Sequence, residues 1–246
     1  MSKFQKNKVD IDIQQDVALE TLSGAPNYQA WLASLALPFF GSNPLEIGSG
    51  NGDYADLWRL SGIKNLTLNE VDANRLLFLE NRFAEFPDID VSTLEQLDNA
   101  GSKFSSCSSF NVLEHVENDV QLLERMSNWV KPGGHVFVLA PAFPFAYSEF
   151  DAKIGHFRRY TKKSLRRSME DAGLVDVKTR YINPLGLIAW FILMKMFKGS
   201  PNSGLAVKIW DSTVIPVTRQ LERLVKAPFG QSCIGVGLVD DKKRSH

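Results

Sequence analysis

"LEIGSGNGDY", residues 45–54, places three glycines on alternate positions directly after a short run that contains one acid, Glu46, between two apolar residues. Glycine adopts backbone angles closed to other residues and lets a ligand approach the main chain. Gly48, Gly50 and Gly52 therefore predict a tight turn between a strand and a helix, with a ligand lying against its backbone.

The composition is that of one globular domain spanning residues 1–246, since 44% of the residues are hydrophobic and can bury a sizeable core. Lysine plus arginine and aspartate plus glutamate both number 28, so the formal net charge is zero. We expect no nucleic acid partner, because nucleic acid binding depends on an excess of positive charge.

Cysteine usage and the first residues indicate the compartment. The first fifteen residues lack the apolar stretch of a secretory signal. Cys107 and Cys233 are the two cysteines, and both lie in apolar or small-residue runs, which favours buried free thiols over a disulfide. We expect a cytoplasmic protein.

Short apolar runs alternate with helix-like stretches, which predicts a doubly wound α/β fold with a mainly parallel, seven-stranded sheet. The predicted helices lie near 54–61, 73–85, 118–130 and 162–172. The predicted strands are 44–47, 66–70, 89–94, 105–111, 135–141, 175–182 and 233–239.

The glycine turn follows the first predicted strand, at the carboxyl edge where ligands of open α/β sheets bind. A dinucleotide fingerprint would have its third glycine at position 53, which is an aspartate here. Glu70 ends the second strand, where a carboxylate can accept hydrogen bonds from both hydroxyls of a ribose. The pair favours a nucleoside ligand without a pyrophosphate; the alternative is a tight connection beside an exposed strand end.

Four stretches together resemble the ordered motifs of class I S-adenosylmethionine-dependent methyltransferases: "LEIGSGNGDY", "NEVD", "SSFNVLEHVEND" and "WVKPGGHVFVLAP". The resemblance covers about residues 44–182. It implies a Rossmann-like methyltransferase fold and S-adenosyl-L-methionine as the cofactor.

The same resemblance implies which residues contact the cofactor. Glu46 and the glycine turn would face the methionine part, and Glu70 the ribose. Asn111, at the end of the fourth strand, would meet the methionine amino group through its backbone carbonyl. Tyr28, on a helix before the first strand, would reach the carboxylate, unless it packs within that helix. The full set is Tyr28, Glu46, Gly48, Ser49, Gly50, Gly52, Glu70, Val71, Leu94 and Asn111.

Leu94 belongs to that set because the sequence departs from the family near the adenine. Similar proteins place acids after the third strand and at the start of the fourth, whereas this chain has Thr93 and Leu94 at the first position and Ser105 at the second. Leu94 and its backbone are therefore the expected adenine contact.

The stretch "SEFDAKIGHFRRYTKKSLRR", residues 148–167, follows the fifth strand and borders the acceptor in similar methyltransferases. Arg158 and Arg159 precede a helix and can bind an acidic group of the acceptor, with Tyr160 beside them. Two other readings stay open: a solvated helix, which suits Arg166 and Arg167, and a nucleic acid surface, ranked last.

A hydroxyl acceptor needs a base, and histidine is poised for that near neutral pH. Elimination among the four histidines leaves His156, with Asp151 able to orient its imidazole; the alternative is that His156 merely stacks in its loop. We expect no metal, because the sequence shows no closely spaced cluster of histidine and carboxylate.

A helical insert is predicted at 184–230, before the last strand. Its part 185–197, "LGLIAWFILMKMF", has Lys195 as its single charge and is too short to span a bilayer. Residues 205–225 form an amphipathic pattern, so the insert is predicted to be a helical hairpin that caps the substrate face. A homodimer contact and a shallow membrane contact are the alternatives.

The predicted activity is S-adenosylmethionine-dependent O-methylation of a small-molecule, sugar or lipid-linked acceptor in a biosynthetic pathway. The alternatives are a non-catalytic S-adenosylmethionine-binding partner subunit and a methyltransferase acting on a nucleic acid.

Overall fold

The computed structural model describes residues 24–189, 204–225 and 227–240. The strands are β1 Pro44–Ile47, β2 Leu66–Asn69, β3 Ile89–Ser92, β4 Phe104–Phe110, β5 Val130–Pro141, β6 Leu174–Ile182 and β7 Ser232–Val239. The α-helices are α1 Pro26–Ala36, α2 Asp53–Leu60, α3 Ala73–Phe83, α4 Leu94–Ala100, α5 Asp119–Trp129, α6 Glu149–Lys153, α7 Lys162–Asp171, α8 Gly204–Ile209 and α9 Ile215–Leu224.

The seven strands form one sheet in the order β3-β2-β1-β4-β5-β7-β6. Strands β1 to β5 pair in parallel, while β7 runs antiparallel to both β5 and β6. The predicted seven-stranded, mainly parallel sheet is confirmed, and β7 makes it a mixed one. The strand order reverses between β1 and β4, which opens a crevice beyond their carboxyl ends.

Two predicted strand boundaries differ from the structure by two residues or more. Strand β3 ends at Ser92, because the Thr93 side chain accepts from the backbone N–H of Gln96 and caps α4, a helix that the sequence analysis did not predict. Strand β5 starts at Val130 rather than 135, with an irregularity in its pairing with β4 between Val130 and His135. Glycine and proline in that bulge interrupt the ladder without ending the strand.

The residues that pack around the sheet form two hydrophobic cores. One core includes Leu45 and Ile47 of β1, and the other includes Leu68 of β2. Cys107 and Cys233 are buried and unpaired, which confirms the prediction of free thiols. On α7, Leu165 and Met169 are buried, as its apolar stripe predicts.

The second half of the insert packs on the start of α1. Residues 184–189 are helical, and a π-helical turn, Trp210–Val214, joins α8 to α9. The buried carboxylate of Asp211 accepts hydrogen bonds from the backbone N–H groups of Tyr28, at 2.8 Å, and Asn27, at 3.0 Å. Asp211 thus supplies from a distance the N-terminal cap that α1 lacks locally.

The apolar stretch 190–197, for which the sequence predicts the first helix of the hairpin, lies outside the described residues. Among the residues that are described, no helix combines the length and the hydropathy needed to cross a membrane.

Candidate active site

The glycine turn joins β1 to α2 at the carboxyl edge of the sheet. Gly48, Gly50 and Gly52 have φ angles of +71°, +54° and +79°, a region that other residues rarely adopt. A Cβ atom on Gly48 would lie 2.4 Å from Cγ2 of Val112, and one on Gly52 would lie 2.6 Å from a ring carbon of Phe83. Both conformation and packing therefore require glycine here.

Glu70 and the glycine turn are in direct contact, as the sequence predicts for neighbouring strand ends. The Gly50 backbone N–H donates to Oε2 of Glu70 at 2.9 Å. The Oε1 atom accepts from the backbone N–H groups of Val71, at 2.7 Å, and Asp72, at 3.1 Å. The carboxylate is thus held by three backbone donors, while the Val71 side chain is exposed.

Glu46 is a buried carboxyl group beside the same turn. Its Oε2 atom has no hydrogen-bond partner within the described residues. Burial, together with the charges of Glu70 and Asp53, raises the pKa of Glu46 to about 8. A cationic ligand group beside Glu46 would compensate this burial. The backbone N–H of Ser49 is already committed, since it donates to the Asn69 carbonyl at 2.9 Å.

Two tyrosines lie close to each other, and one of them, Tyr54, is also near Glu46. The ring of Tyr28 is buried against Trp31 and Trp210. Tyr54, which the sequence analysis did not single out, packs its ring 4.5 Å from that of Phe110. Burial, and then the proximity of Tyr28 and Glu46, raise the pKa of Tyr54. Tyr54 directly follows Asp53 at the end of the glycine motif, and this position in the sequence could have indicated that its side chain lies near the turn.

Arg82 of α3 binds the glycine turn and the start of α2, a role that the sequence pattern did not predict. Its guanidinium donates to the backbone carbonyl of Asn51 and to Oδ1 of Asp53, the latter at 2.9 Å, and it pairs with Asp56 as well. The two acids one turn apart at the start of α2 were the signal that an arginine partner was needed.

Two further predicted contacts lie at the same sheet edge. Asn111 directly follows β4, has a φ of +53°, and donates its backbone N–H to the Leu139 carbonyl at 2.8 Å. Leu94 starts α4 and packs, partly buried, against one of the cores. Ser105 lies instead at the amino end of β4, where its hydroxyl accepts from the backbone N–H of Asn43.

In α6, a fully buried carboxylate, Asp151, gathers four side-chain hydrogen bonds. Its Oδ1 lies 2.8 Å from Nδ1 of His156 and 2.7 Å from Nε of Arg159. Its Oδ2 accepts from the Ser148 hydroxyl at 2.8 Å and from a second nitrogen of Arg159 at 3.0 Å. Burial alone would raise the pKa of Asp151, but hydrogen bonds from His156 and Arg159 outweigh it and lower that pKa.

The side chains predicted to hold the acceptor point at internal carboxylates instead. Arg159 is engaged by Asp151, as above. Arg158 donates to Oδ1 of the buried Asp119 at 3.0 Å, and the Tyr160 hydroxyl donates to Oδ2 at 2.9 Å. A buried carboxylate needs such donors, so these three side chains hold the loop in place, and their role toward an acceptor stays a prediction. The exposed pairs of Arg166 with Glu170 and of Arg167 with Asp171 fit the solvated-helix reading.

His156 also meets two residues of the turn after β4. Its Nε2 lies 3.8 Å from Oε1 of Glu114, and its ring is 4.5 Å from that of His115. Glu114 is fully buried, and neither of its oxygens has a hydrogen-bond partner in the described part of the chain. Burial raises the pKa of Glu114 to about 8 and lowers that of His115 to about 4.

The structure therefore corrects the premise that no histidine and carboxylate cluster exists. One potential ligand atom from each of Glu114, His115 and His156 lies within 4.8 Å of the others. Sequence spacing conceals the cluster, because His156 reaches it from the loop after α6. Glu114 was missed, although it stands directly before a histidine at a strand end.

Residues 25–179 match a family model described as a methyltransferase domain. The mitochondrial ubiquinone biosynthesis O-methyltransferase of Dictyostelium discoideum is 27% identical over 116 residues, covering 42% of this chain and 36% of the relative. The chain therefore matches about a third of the length of that curated protein.

Two solved structures are similar in fold. Phosphoethanolamine N-methyltransferase 2 of Haemonchus contortus, in complex with phosphomonomethylethanolamine and S-adenosylhomocysteine, has a TM-score of 0.59 and 14% identity over 86% of this chain and 53% of that one. A SAM-dependent methyltransferase from Archaeoglobus fulgidus has a TM-score of 0.57 and 17% identity over 85% of this chain and 94% of that one. At these identities the likeness shows the fold alone.

Proposed function

The chain belongs to the methyltransferase domain family, and from this premise we propose that it O-methylates a small-molecule, sugar or lipid-linked acceptor with S-adenosyl-L-methionine as the methyl donor. The name of the Dictyostelium relative, an O-methyltransferase, supports the choice of oxygen. The single observation that carries the proposal is the buried Asp151–His156 pair at the same sheet edge as the glycine turn.

The residues at the glycine turn fit the cofactor. The turn leaves no room for a Cβ at Gly48, and the neighbouring Glu46 is a buried carboxyl whose Oε2 has no partner in the described chain. A cationic amino group beside Glu46 would supply the missing donor and compensate its burial. When bound, S-adenosyl-L-methionine supplies a methyl group that its sulfonium already activates.

We propose the following roles at the cofactor. Glu46 and the glycine turn face the methionine part, Glu70 accepts from the ribose hydroxyls, and Asn111 offers its backbone carbonyl. Oε2 of Glu70 has one acceptor site left beside its Gly50 donor, whereas Oε1 already accepts two backbone hydrogen bonds, so one ribose hydroxyl can bind without displacing a donor and a second would displace one. The proposed contacts are Tyr28, Glu46, Gly48, Ser49, Gly50, Gly52, Glu70, Val71, Leu94 and Asn111.

The chain's own contribution at the acceptor is alignment and proton removal. Oδ1 of Asp151 accepts a hydrogen bond from Nδ1–H of His156. This contact selects the tautomer whose other ring nitrogen, Nε2, can take a proton. Arg159, bound to both oxygens of Asp151, keeps that carboxylate ionised and fixed. His156 then acts as the base that takes the proton of the acceptor hydroxyl.

We also propose that the insert, residues 184–230, is a cap on the single domain. Asp211 and Trp210 attach its second half to α1 at Tyr28. An element docked there can cover the cofactor side of the crevice and shield it from water.

The test is to incubate the purified full chain with S-adenosylmethionine and paired acceptors that differ only in a hydroxyl or an amine. Formation of S-adenosylhomocysteine with the hydroxyl member, together with a methylated product by mass spectrometry, supports the proposal. Methylation of amines alone would contradict the oxygen assignment. Cofactor binding without turnover across phenolic, sugar and lipid-linked acceptors would favour a non-catalytic subunit.

A further inference from the structure

We propose that Glu114, His115 and His156 bind a divalent transition-metal ion of the zinc type. The three residues come from two segments at the carboxyl edge of the sheet, the turn after β4 and the loop after α6. Two imidazoles and one carboxylate are a ligand set that zinc uses in catalytic sites, where a further coordination position stays open for water or substrate.

The distances suit such an ion. Zinc binds histidine nitrogen and carboxylate oxygen at about 2.0–2.2 Å, which in tetrahedral geometry puts the ligand atoms about 3.4 Å from one another. The three candidate atoms already lie within 4.8 Å of one another, and Nε2 of His156 is 3.8 Å from Oε1 of Glu114. Small side-chain rotations would bring the three ligand atoms to the separation that one zinc ion requires.

Both histidines are already oriented by groups outside the cluster. Metal-binding histidines usually hydrogen-bond through their other ring nitrogen to a carboxylate or a backbone carbonyl. His156 makes this contact with Asp151 at 2.8 Å, and the His115 ring hydrogen-bonds to the backbone at Gly155 and Ile154. The contact with Asp151 leaves Nε2 of His156 directed at Glu114.

The charge balance also favours a cation. Glu114 is fully buried, and the described chain offers its carboxyl oxygens no hydrogen-bond donor. An unsatisfied carboxyl in that position is costly. Arg159, whose positive charge acts on Glu114, is hydrogen-bonded to both oxygens of Asp151. A metal ion would give Glu114 a direct partner.

Ion binding stands independently of the proposed reaction; only its consequence rests on the proposed function. A nitrogen that binds a metal cannot take a proton, so in the metal-bound state His156 is a ligand rather than a base. An acceptor hydroxyl at the open position would then lose its proton to water, because a bound cation lowers the pKa of a coordinated hydroxyl.

The test is calorimetric titration of Zn²⁺ into the untagged, chelator-treated full chain, without cofactor or acceptor. We expect one ion per chain, with affinity reduced roughly 100-fold or more in Glu114→Gln and His115→Ala, since even outer-shell changes cost about 10–100-fold. The control His135→Ala removes a histidine of β5 outside the cluster and should bind normally. Absence of saturable binding, or equal binding by all three variants, would overturn the proposal.

If the Glu114→Gln and His115→Ala variants fail to fold, the wild-type chain loaded with Co²⁺ provides the test of the site. Proton NMR should then show two hyperfine-shifted, solvent-exchangeable imidazole N–H signals, one from each histidine. Fewer than two such signals would reject the site. Neither readout involves methyl transfer, so an inactive enzyme that binds zinc and an active one that does not are distinguished.

Discussion

The Nδ1 atom of His156 lies 2.8 Å from Oδ1 of Asp151, and that carboxylate also closes the capping box that starts α6. Oδ2 of Asp151 accepts from the backbone N–H of Ser148 at 2.8 Å. One buried carboxylate therefore fixes both the helix that precedes the loop and the imidazole that the loop presents. The local fold and the candidate base depend on the same residue.

His156→Ala should lower the turnover number by roughly 100- to 10000-fold, the usual contribution of a positioned base, and leave cofactor affinity unchanged. Steady-state kinetics and calorimetry with S-adenosylmethionine measure the two quantities. His135→Ala, within β5 and outside the loop, is the matched control and should retain normal turnover. Near-normal turnover of His156→Ala would remove it as the base.

Glu70→Ala should weaken S-adenosylmethionine binding by roughly 1.5 to 3 kcal/mol for each charged hydrogen bond lost. The variant also removes the acceptor that holds the Gly50 backbone N–H, so the turn itself loosens. Calorimetry provides the affinity. Glu80→Ala, an exposed glutamate on the following helix, should bind the cofactor normally. Unchanged affinity of a folded Glu70→Ala would exclude Glu70 from the site.

Gly48→Ala should destabilise the fold more than Gly62→Ala. Both glycines have positive φ, +71° and +88°, so alanine is strained at either by about 1–2 kcal/mol. Only at Gly48 would the new Cβ also meet a side chain, Val112, and overpacking adds about 1–3 kcal/mol. Urea denaturation gives the two free energies of unfolding. Equal losses would show that the turn is not closely packed.

The parts of this structure that local sequence determines were predictable. The glycine turn, the places of the strands along the chain and the buried stripe of α7 each follow from residues a few positions apart. The prediction that Glu70 lies beside the glycine turn also held, because parallel strands end at one edge of a sheet.

The errors share one physical cause, which is that the partner of a charged side chain lies elsewhere in the chain. Arg158 looks free in the sequence, but its partner Asp119 comes from the start of α5. Glu114 and His156 meet only because the loop after β5 folds back over the turn after β4. The sequence shows which side chains are charged, but their spacing along the chain does not show which of them are in contact in the fold.

Asp211→Ala should lower the free energy of unfolding by about 1–2 kcal/mol, because the variant removes the cap of α1. The carboxylate accepts from the Tyr28 and Asn27 backbone N–H groups, and its loss leaves the Tyr28 donor buried. Chemical denaturation measures the change. The exposed neighbour Ser212→Ala is the control and should have almost no effect. Equal stability of both variants would mean that the insert does not support the domain.

Glu46 should make the stability of the protein fall as pH rises. Its pKa is raised by burial to about 8 in the folded state, from an unfolded value near 4.5. Between those values the folded chain holds a proton that the unfolded chain has lost, so raising the pH favours unfolding. One such group changes the free energy of unfolding by about 1.4 kcal/mol per pH unit.

Glu46→Gln removes this proton linkage, so its stability relative to wild type should increase steadily from pH 5 to pH 8. Urea denaturation at half-unit pH steps gives that difference, with Glu80→Gln, on the exposed side of α3, expected to differ from wild type by a constant amount. A pH-independent difference for Glu46→Gln would show that the carboxyl ionises normally in the fold. Saturating S-adenosylmethionine should flatten the slope as well, because a cationic amino group beside Glu46 would lower its pKa toward the unfolded value.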